Sequence, residues 1–285
     1  YPATAAVVAI VGATPFLVGV EPENGLIDLD AAARSVNSRT KTIMPVSEFG
    51  NPLNHDRLSE FKRKRGLWVI EDAACALGSE FRGRRTGSLT DITVFSLHPR
   101  KFITTGEGGL ITTDYSSVCD WIHSYKHFEI EGSDTGGLPV FARIGTNYKL
   151  SDVQSAFGLA QMEHAENLLA GRRELADRYH KMLQSDRRVV RPSIAVGGVS
   201  SWQSYCVLVP HRDAILKQLR EDGTEVQIGA LGELALPFIS GGDCTGRRRA
   251  CGVGIDRAEP PLEDVCTLDV ACISCRCLWC CRFEG

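Results

Sequence analysis

Short apolar runs alternate with helix-spaced polar stretches over the first 115 residues. ATPFLVGV (13–20), TIMPVS (42–47), LWVIED (67–72), ITVFSL (92–97) and GGLITTD (108–114) read as strands. DLDAAARSV (28–36) and LSEFKRKR (58–65) suit the helices between them. Alternation of this kind predicts an α/β layer on a mixed, mostly parallel sheet, whose ligands sit beyond the C-terminal ends of the strands. Residues 150–184 read as one long helical region, with Ser151 as its N-cap and Gly158 and Gly171 as weak points. Its apolar positions Val153, Phe157, Leu159, Met162, Ala165 and Leu169 are those of a structural helix joining two units. A strand in SWQSYCVLVP (201–210), a helix from about Arg212 and a strand in GTEVQIGA (223–230) predict a small α/β domain. The divisions are a large domain over 1–150, a connecting helix over 151–190, a small domain over 191–240 and a tail over 241–285.

With 285 residues, 43% of them hydrophobic, the chain can bury a sizeable core. A net charge of −3, with no basic face, gives no footprint for nucleic acid. The KRKR run at Lys62–Arg65 reads as the dipole-facing end of a helix. No apolar run reaches membrane-spanning length, and the opening YPATAAVVAIVGATPFLV reads as a helix and strand that begin in mid-domain, not as a signal peptide. Of 11 cysteines, only Cys75, Cys119 and Cys206 precede residue 240, which fits a reducing, cytoplasmic setting. The other eight crowd a tail whose CISCRCLWCC has metal-like spacings but no separated pair of knuckles, so an atypical tail is favoured over a zinc or redox module.

Candidate chemistry gathers in VIEDAACALGSEFRGRRTGSLTDITVFSLHPRKFITTGEGG (69–109). Asp72 emerges from a buried strand, either as a turn cap or as the partner of a cationic group. Ser96 ends another strand and offers a hydroxyl to an anion or to its own turn. Lys101 stands where the chain passes between strands; such a lysine is either a surface group or, in an apolar pocket, an amine able to attack a carbonyl. Gly106, Gly108 and Gly109 serve a tight turn or a close cofactor approach.

Taken with GTNYKLSDVQSAFGLAQM, SWQSYCVLV and GTEVQIGA, that stretch resembles the DegT/DnrJ/EryC1/StrS sugar aminotransferases over residues 1–236. The resemblance implies the aspartate-aminotransferase-like fold (type I), pyridoxal 5'-phosphate as cofactor, and amino transfer from glutamate or glutamine to a nucleotide-linked keto sugar. It makes Lys101 the covalent cofactor lysine and Asp72 the partner of the ring nitrogen, with Ser96 on the phosphate and His98 supporting the lysine loop. Asn147 would reach the phosphate of a neighbouring subunit, which implies a homodimer with shared sites. Cys75 stands beside the ring where the family usually has Gln or His, and Ser47 and Glu48 replace the common His and Leu. The family's upstream phosphate-contact turn would precede Tyr1, and its usual C-terminal continuation is replaced by the Cys-rich tail. The alternatives are a truncated, non-catalytic binding protein and the family's sugar dehydratases, in which a His replaces the lysine.

Overall fold

The computed structural model describes residues 1–141 and 144–229 and the backbone of 264–268. Its elements run α1 (Ala3–Ile10), α2 (Leu29–Ser35), β1 (Thr42–Ile43), α3 (His55–Arg65), β2 (Trp68–Asp72), β3 (Glu80–Phe81), β4 (Arg84–Arg85), β5 (Ile92–Ser96) and β6 (Gly109–Thr112). There follow α4 (Ser116–Tyr125), β7 (Ile130–Ser133), β8 (Pro139–Phe141), α5 (Asp152–Met162), α6 (Ala165–Leu183), β9 (Gly198–Val199), β10 (Tyr205–Val209), α7 (Arg212–Glu221), β11 (Val226–Ile228) and β12 (Asp264–Leu268).

The large sheet has the order β1-β2-β5-β6, with β1/β2 and β2/β5 parallel and β5/β6 antiparallel. It is the mixed, mostly parallel sheet that the hydrophobic pattern predicts. Leu29 and Ala32 of α2 and Leu58 and Phe61 of α3 pack with Ile43 and Val69 in its core. Local chemistry fixes both helices. The Asp28 carboxylate accepts the Asp30 and Ala31 N–H groups, and the Asn54 side chain accepts that of Arg57. Gly66, at φ 64°, closes α3 behind the KRKR run, whose charges therefore face the carboxyl end of the helix dipole.

Three expectations change. Residues 13–20 form no strand: their one pairing is the Val20–Ile27 bridge that closes the turn through Glu21 and Leu26. An apolar run becomes a strand only where a neighbour pairs along its length, and the pairing here is confined to its end, where the Asp28 N–H also reaches the Gly19 carbonyl at 3.0 Å. The long helical region is two helices, broken at Glu163–His164 rather than at a glycine, where His164 leaves helical geometry (φ −105°, ψ 3°). The break turns Ala165 toward Leu97 and Ile103. Ser151 does cap α5, through a reciprocal capping box with Gln154. Third, the strand expected from residue 201 begins at Tyr205, because Ser201, Gln203 and Ser204 bond instead to Gly50 and Cys75, to Arg100 and to Phe49.

In the small unit β12 lies between β10 and β11, antiparallel to both. Tyr205, Val207, Val209, Leu216 and Val226 pack there against Ala176 of α6. The rest of the tail, with the eight late cysteines that the zinc and redox readings concern, lies outside the described residues except for the backbone at Cys266. Among the described residues no helix is long and apolar enough to cross a membrane, and no group of three or more His, Cys, Asp or Glu could hold a metal ion.

Candidate active site

Parallel pairing of β2 with β5 brings Asp72 opposite Val94 at the C-terminal end of the sheet. Two donors fix its carboxylate: the Thr4 hydroxyl at 2.6 Å and the Ala74 N–H at 3.1 Å. After β5 the chain turns sharply. The His98 N–H reaches Ser96 Oγ at 3.3 Å, the Arg100 N–H reaches His98 Nδ1 at 3.2 Å, and the Lys101 N–H reaches the His98 carbonyl at 2.9 Å. That turn delivers Lys101, whose Nζ lies 3.1 Å from Cys75 Sγ.

A fourth group joins Asp72, Cys75 and Lys101. Burial pushes the Glu48 carboxyl above its usual range, with Asp72 adding to the rise and Lys101 opposing it. Burial also pushes the Cys75 thiol up, against the pull of Lys101. Glu48 and Cys75 thus each feel both the Asp72 and the Lys101 charges.

Two braces hold this cluster, and neither was legible in the sequence. Residues 200–203 bolt onto it: Ser201 Oγ donates to the Cys75 carbonyl at 3.1 Å and Gln203 Nε2 to the Arg100 carbonyl at 2.8 Å. Ser79 and Ser200 hydroxyls both donate to the Gly50 carbonyl, at 2.7 and 2.8 Å. Phe49 and Trp202, on the two facing segments, are non-glycine residues held at φ 57° and 51°, a strain that such bonding sustains. From the other side, α5 grips the loop that follows Lys101. Gln161 bonds both the N–H and the carbonyl of Thr104, at 3.1 and 2.6 Å, and Gln154 donates to the Glu107 carbonyl at 2.9 Å. Gly108, at φ 154°, has Thr105 Oγ1 and Leu150 Cδ2 where a Cβ would lie, so this glycine serves close packing of the loop.

Behind Asp72 lies a buried polar group that the sequence reading also missed. Glu71 and Ser47 are both fully buried, and the Ser47 hydroxyl donates to Glu71 Oε1 at 2.5 Å. His55 Nε2 lies 4.0 Å from the same oxygen, and among the described residues neither of its ring nitrogens has a hydrogen-bond partner. Burial pushes Glu71 up to about 7 and His55 down to about 4. Glu71 therefore contributes stability at low pH that is lost as pH rises from about 4.5 to about 7. His55 contributes stability at high pH that is lost as pH falls from about 6.5 to about 4. Each is worth roughly 3 kcal/mol, and the opposed slopes cancel between about pH 4.5 and 6.5. Urea midpoints should accordingly be nearly flat across that window for the wild type. They should fall with acid in Glu71→Gln and fall with alkali in His55→Gln. Flat profiles in both variants would show that the pair does not titrate in this way.

Asn147 is placed apart from the cluster: it is exposed, and its side-chain oxygen accepts from Lys149 Nζ at 2.8 Å. Ser96 and His98 lie on the approach to Lys101, and Cys75 touches it.

The α/β fold, with a carboxylate at the C-terminal end of a parallel strand and a lysine in the turn after the neighbouring strand, is that of the fold type I enzymes. The chain belongs to the DegT/DnrJ/EryC1/StrS aminotransferase family, which it matches over residues 1–230. It is 36% identical over 231 residues to the GDP-perosamine synthase of Caulobacter vibrioides, covering 79% of this chain and 62% of that relative. The chain thus spans less than two thirds of the relative's length. Its backbone is similar to that of the sugar aminotransferase Spr1654 from Streptococcus pneumoniae in its PMP form (TM-score 0.84, 24% identity, 95% of this chain and 74% of that one). It is also similar to Helicobacter pylori PseC, an aminotransferase involved in the biosynthesis of pseudoaminic acid (TM-score 0.83, 25% identity, 94% and 71%).

The donor set fits the family's cofactor. Lys101 offers an amine to an aldehyde, Asp72 a fixed carboxylate to a protonated ring nitrogen, and Ser96 a hydroxyl to a phosphate.

Proposed function

We propose that this protein moves an amino group from glutamate or glutamine to a nucleotide-linked keto sugar, using pyridoxal 5'-phosphate. The observation that carries the reading is the grouping of Lys101 and Cys75, 3.1 Å apart, with Asp72 at the end of β2. When bound, the cofactor supplies an electron-withdrawing ring that accepts the electron pair left by the departing substrate proton. Asp72 holds the proton on the ring nitrogen, and the Thr4 and Ala74 donors keep its carboxylate aimed. Lys101 anchors the cofactor and then, as a free amine, moves the proton at the substrate α-carbon. The Ser96 hydroxyl donates to the phosphate, and the Cys75 thiol borders the ring.

Asn147 completes the phosphate site of a second copy, so the working unit is a homodimer. Support comes from α5, which exposes 69% of Val153 and 64% of Phe157, one turn apart on the same face of the helix, an apolar pair that a second copy would cover. The same reading puts the enzyme in the cytoplasm, where the Cys75 and Cys119 thiols, free among the described residues, stay reduced.

The test is amino transfer from glutamate to nucleotide-linked keto sugars, followed by complementation. Asn147→Ala and Lys101→Ala proteins, each deficient at limiting cofactor, are mixed and allowed to exchange subunits. A mixed dimer regains one intact site of two, and random exchange makes about half of all dimers mixed, so about a quarter of sites should work. No transfer by the wild type with any such sugar would contradict the activity. No recovery despite demonstrated exchange would contradict the shared site.

A further inference from the structure

A chain that buries a carboxyl completely forgoes its hydration, and a leucine at the same place would pack at no such cost. Glu71 occupies such a place one residue before Asp72, on the opposite face of β2, alongside the buried Val69. Its bonds say what it holds. Ser47 gives its hydroxyl to Glu71 at 2.5 Å and its N–H to the Asp72 carbonyl at 2.9 Å, while the Asp72 N–H goes to the Pro45 carbonyl at 2.9 Å. The second Glu71 oxygen takes the Thr90 hydroxyl at 3.5 Å, which is itself 2.8 Å from that of the fully buried Thr93. One serine therefore ties the Glu71 side chain to the backbone of Asp72 and to the turn that carries Glu48.

We infer that Glu71, through Ser47, is a positioning residue for Asp72, and that its ionisation tunes how strongly Asp72 holds a protonated ring nitrogen. The inference rests on the cofactor reading above. The charged and titratable groups around it are Asp72 on its own strand and His55 from α3, the latter influenced by Arg84 and Asp56. Asp72 opposes ionisation of Glu71, so an ionised Glu71 must in turn deepen the negative potential at Asp72 and favour a cation beside it. Loss of the Glu71 proton breaks its O–H bond and passes the proton to solvent, with no other change in the protein.

The experiment measures dissociation constants from pH 5.5 to 8.5 for pyridoxal phosphate and for the analogue with a CH in place of the ring nitrogen. Wild type is compared with Glu71→Gln, which keeps an acceptor for Ser47 but cannot titrate, and with Ser47→Ala. The wild-type to Glu71→Gln affinity ratio for pyridoxal phosphate should rise about three- to tenfold across that range, and the ratio for the analogue should stay level. Ser47→Ala removes a donor that favours the ionised carboxyl, so its step should move to higher pH. Superposable wild-type and Glu71→Gln curves would overturn the inference, as would an even loss at all pH values in Ser47→Ala, which marks a merely structural bond. No binding of pyridoxal phosphate by any of the three proteins would remove the cofactor reading itself, and this inference with it.

Discussion

Lys101→Ala is expected to lower amino transfer by at least about 1,000-fold while leaving the urea midpoint unchanged. The lysine has two roles in the proposed reaction, as covalent anchor and as the base that moves the substrate proton, and truncation removes both. Its side-chain amine bonds only to the Cys75 thiol among the described residues, so the scaffold loses little. The turn that presents it is held by backbone bonds from His98 and by the Gln203 bond to Arg100, none of which involves the amine. Pyridoxal phosphate should still bind, more weakly and without a covalent link. Activity within tenfold of wild type would show that the proton is moved by another group.

Asp72→Asn should lower amino transfer by about 100-fold or more, yet leave covalent loading of Lys101 in place. The amide fills the same space: its oxygen can still accept from the Ala74 N–H, and the Thr4 hydroxyl, able to accept as well as donate, can take an amide N–H in place of the lost oxygen, so the end of β2 keeps its geometry. What disappears is the charge that keeps the ring nitrogen protonated. The affinity loss should be smaller than the rate loss, about one hydrogen bond to a charged group, or roughly 1.5 to 3 kcal/mol. A variant that kept its rate at saturating cofactor while binding the cofactor more weakly would assign Asp72 to binding alone.

The hydrophobic pattern revealed the large sheet because β2 and β5 carry uninterrupted apolar or β-branched runs ending at turn residues. It could not distinguish residues 13–20 from a strand, since an apolar run does not show whether a partner lies beside it. Pro45 likewise shortened β1, as a residue without an N–H leaves a gap in the ladder. The helix break at His164 carries no glycine or proline to mark it in the sequence. Gly158, whose added Cβ would come within 3.1 Å of Thr105, lets α5 approach the lysine loop instead of breaking the helix.

Within the candidate site, Asp72, Cys75 and Lys101 could be named because they lie in one continuous stretch with a family resemblance. Ser201, Gln203 and Gln161 could not, because their work is done by bonds to backbone up to 126 residues away. Glu71 did leave a signal. It shares the face of Val69 while Asp72 takes the other, so of the two adjacent carboxyls one had to point into the core.

The central claim is that Lys101 is the group to which pyridoxal phosphate becomes attached. Purified protein is incubated with the cofactor and reduced with borohydride, and its peptides are weighed. A single phosphopyridoxyl group on the peptide containing Lys101, absent in Lys101→Ala and suppressed when glutamate is added first, is the predicted result. Labelling spread over exposed lysines such as Lys64 and Lys149, with Lys101 unmodified, would contradict it.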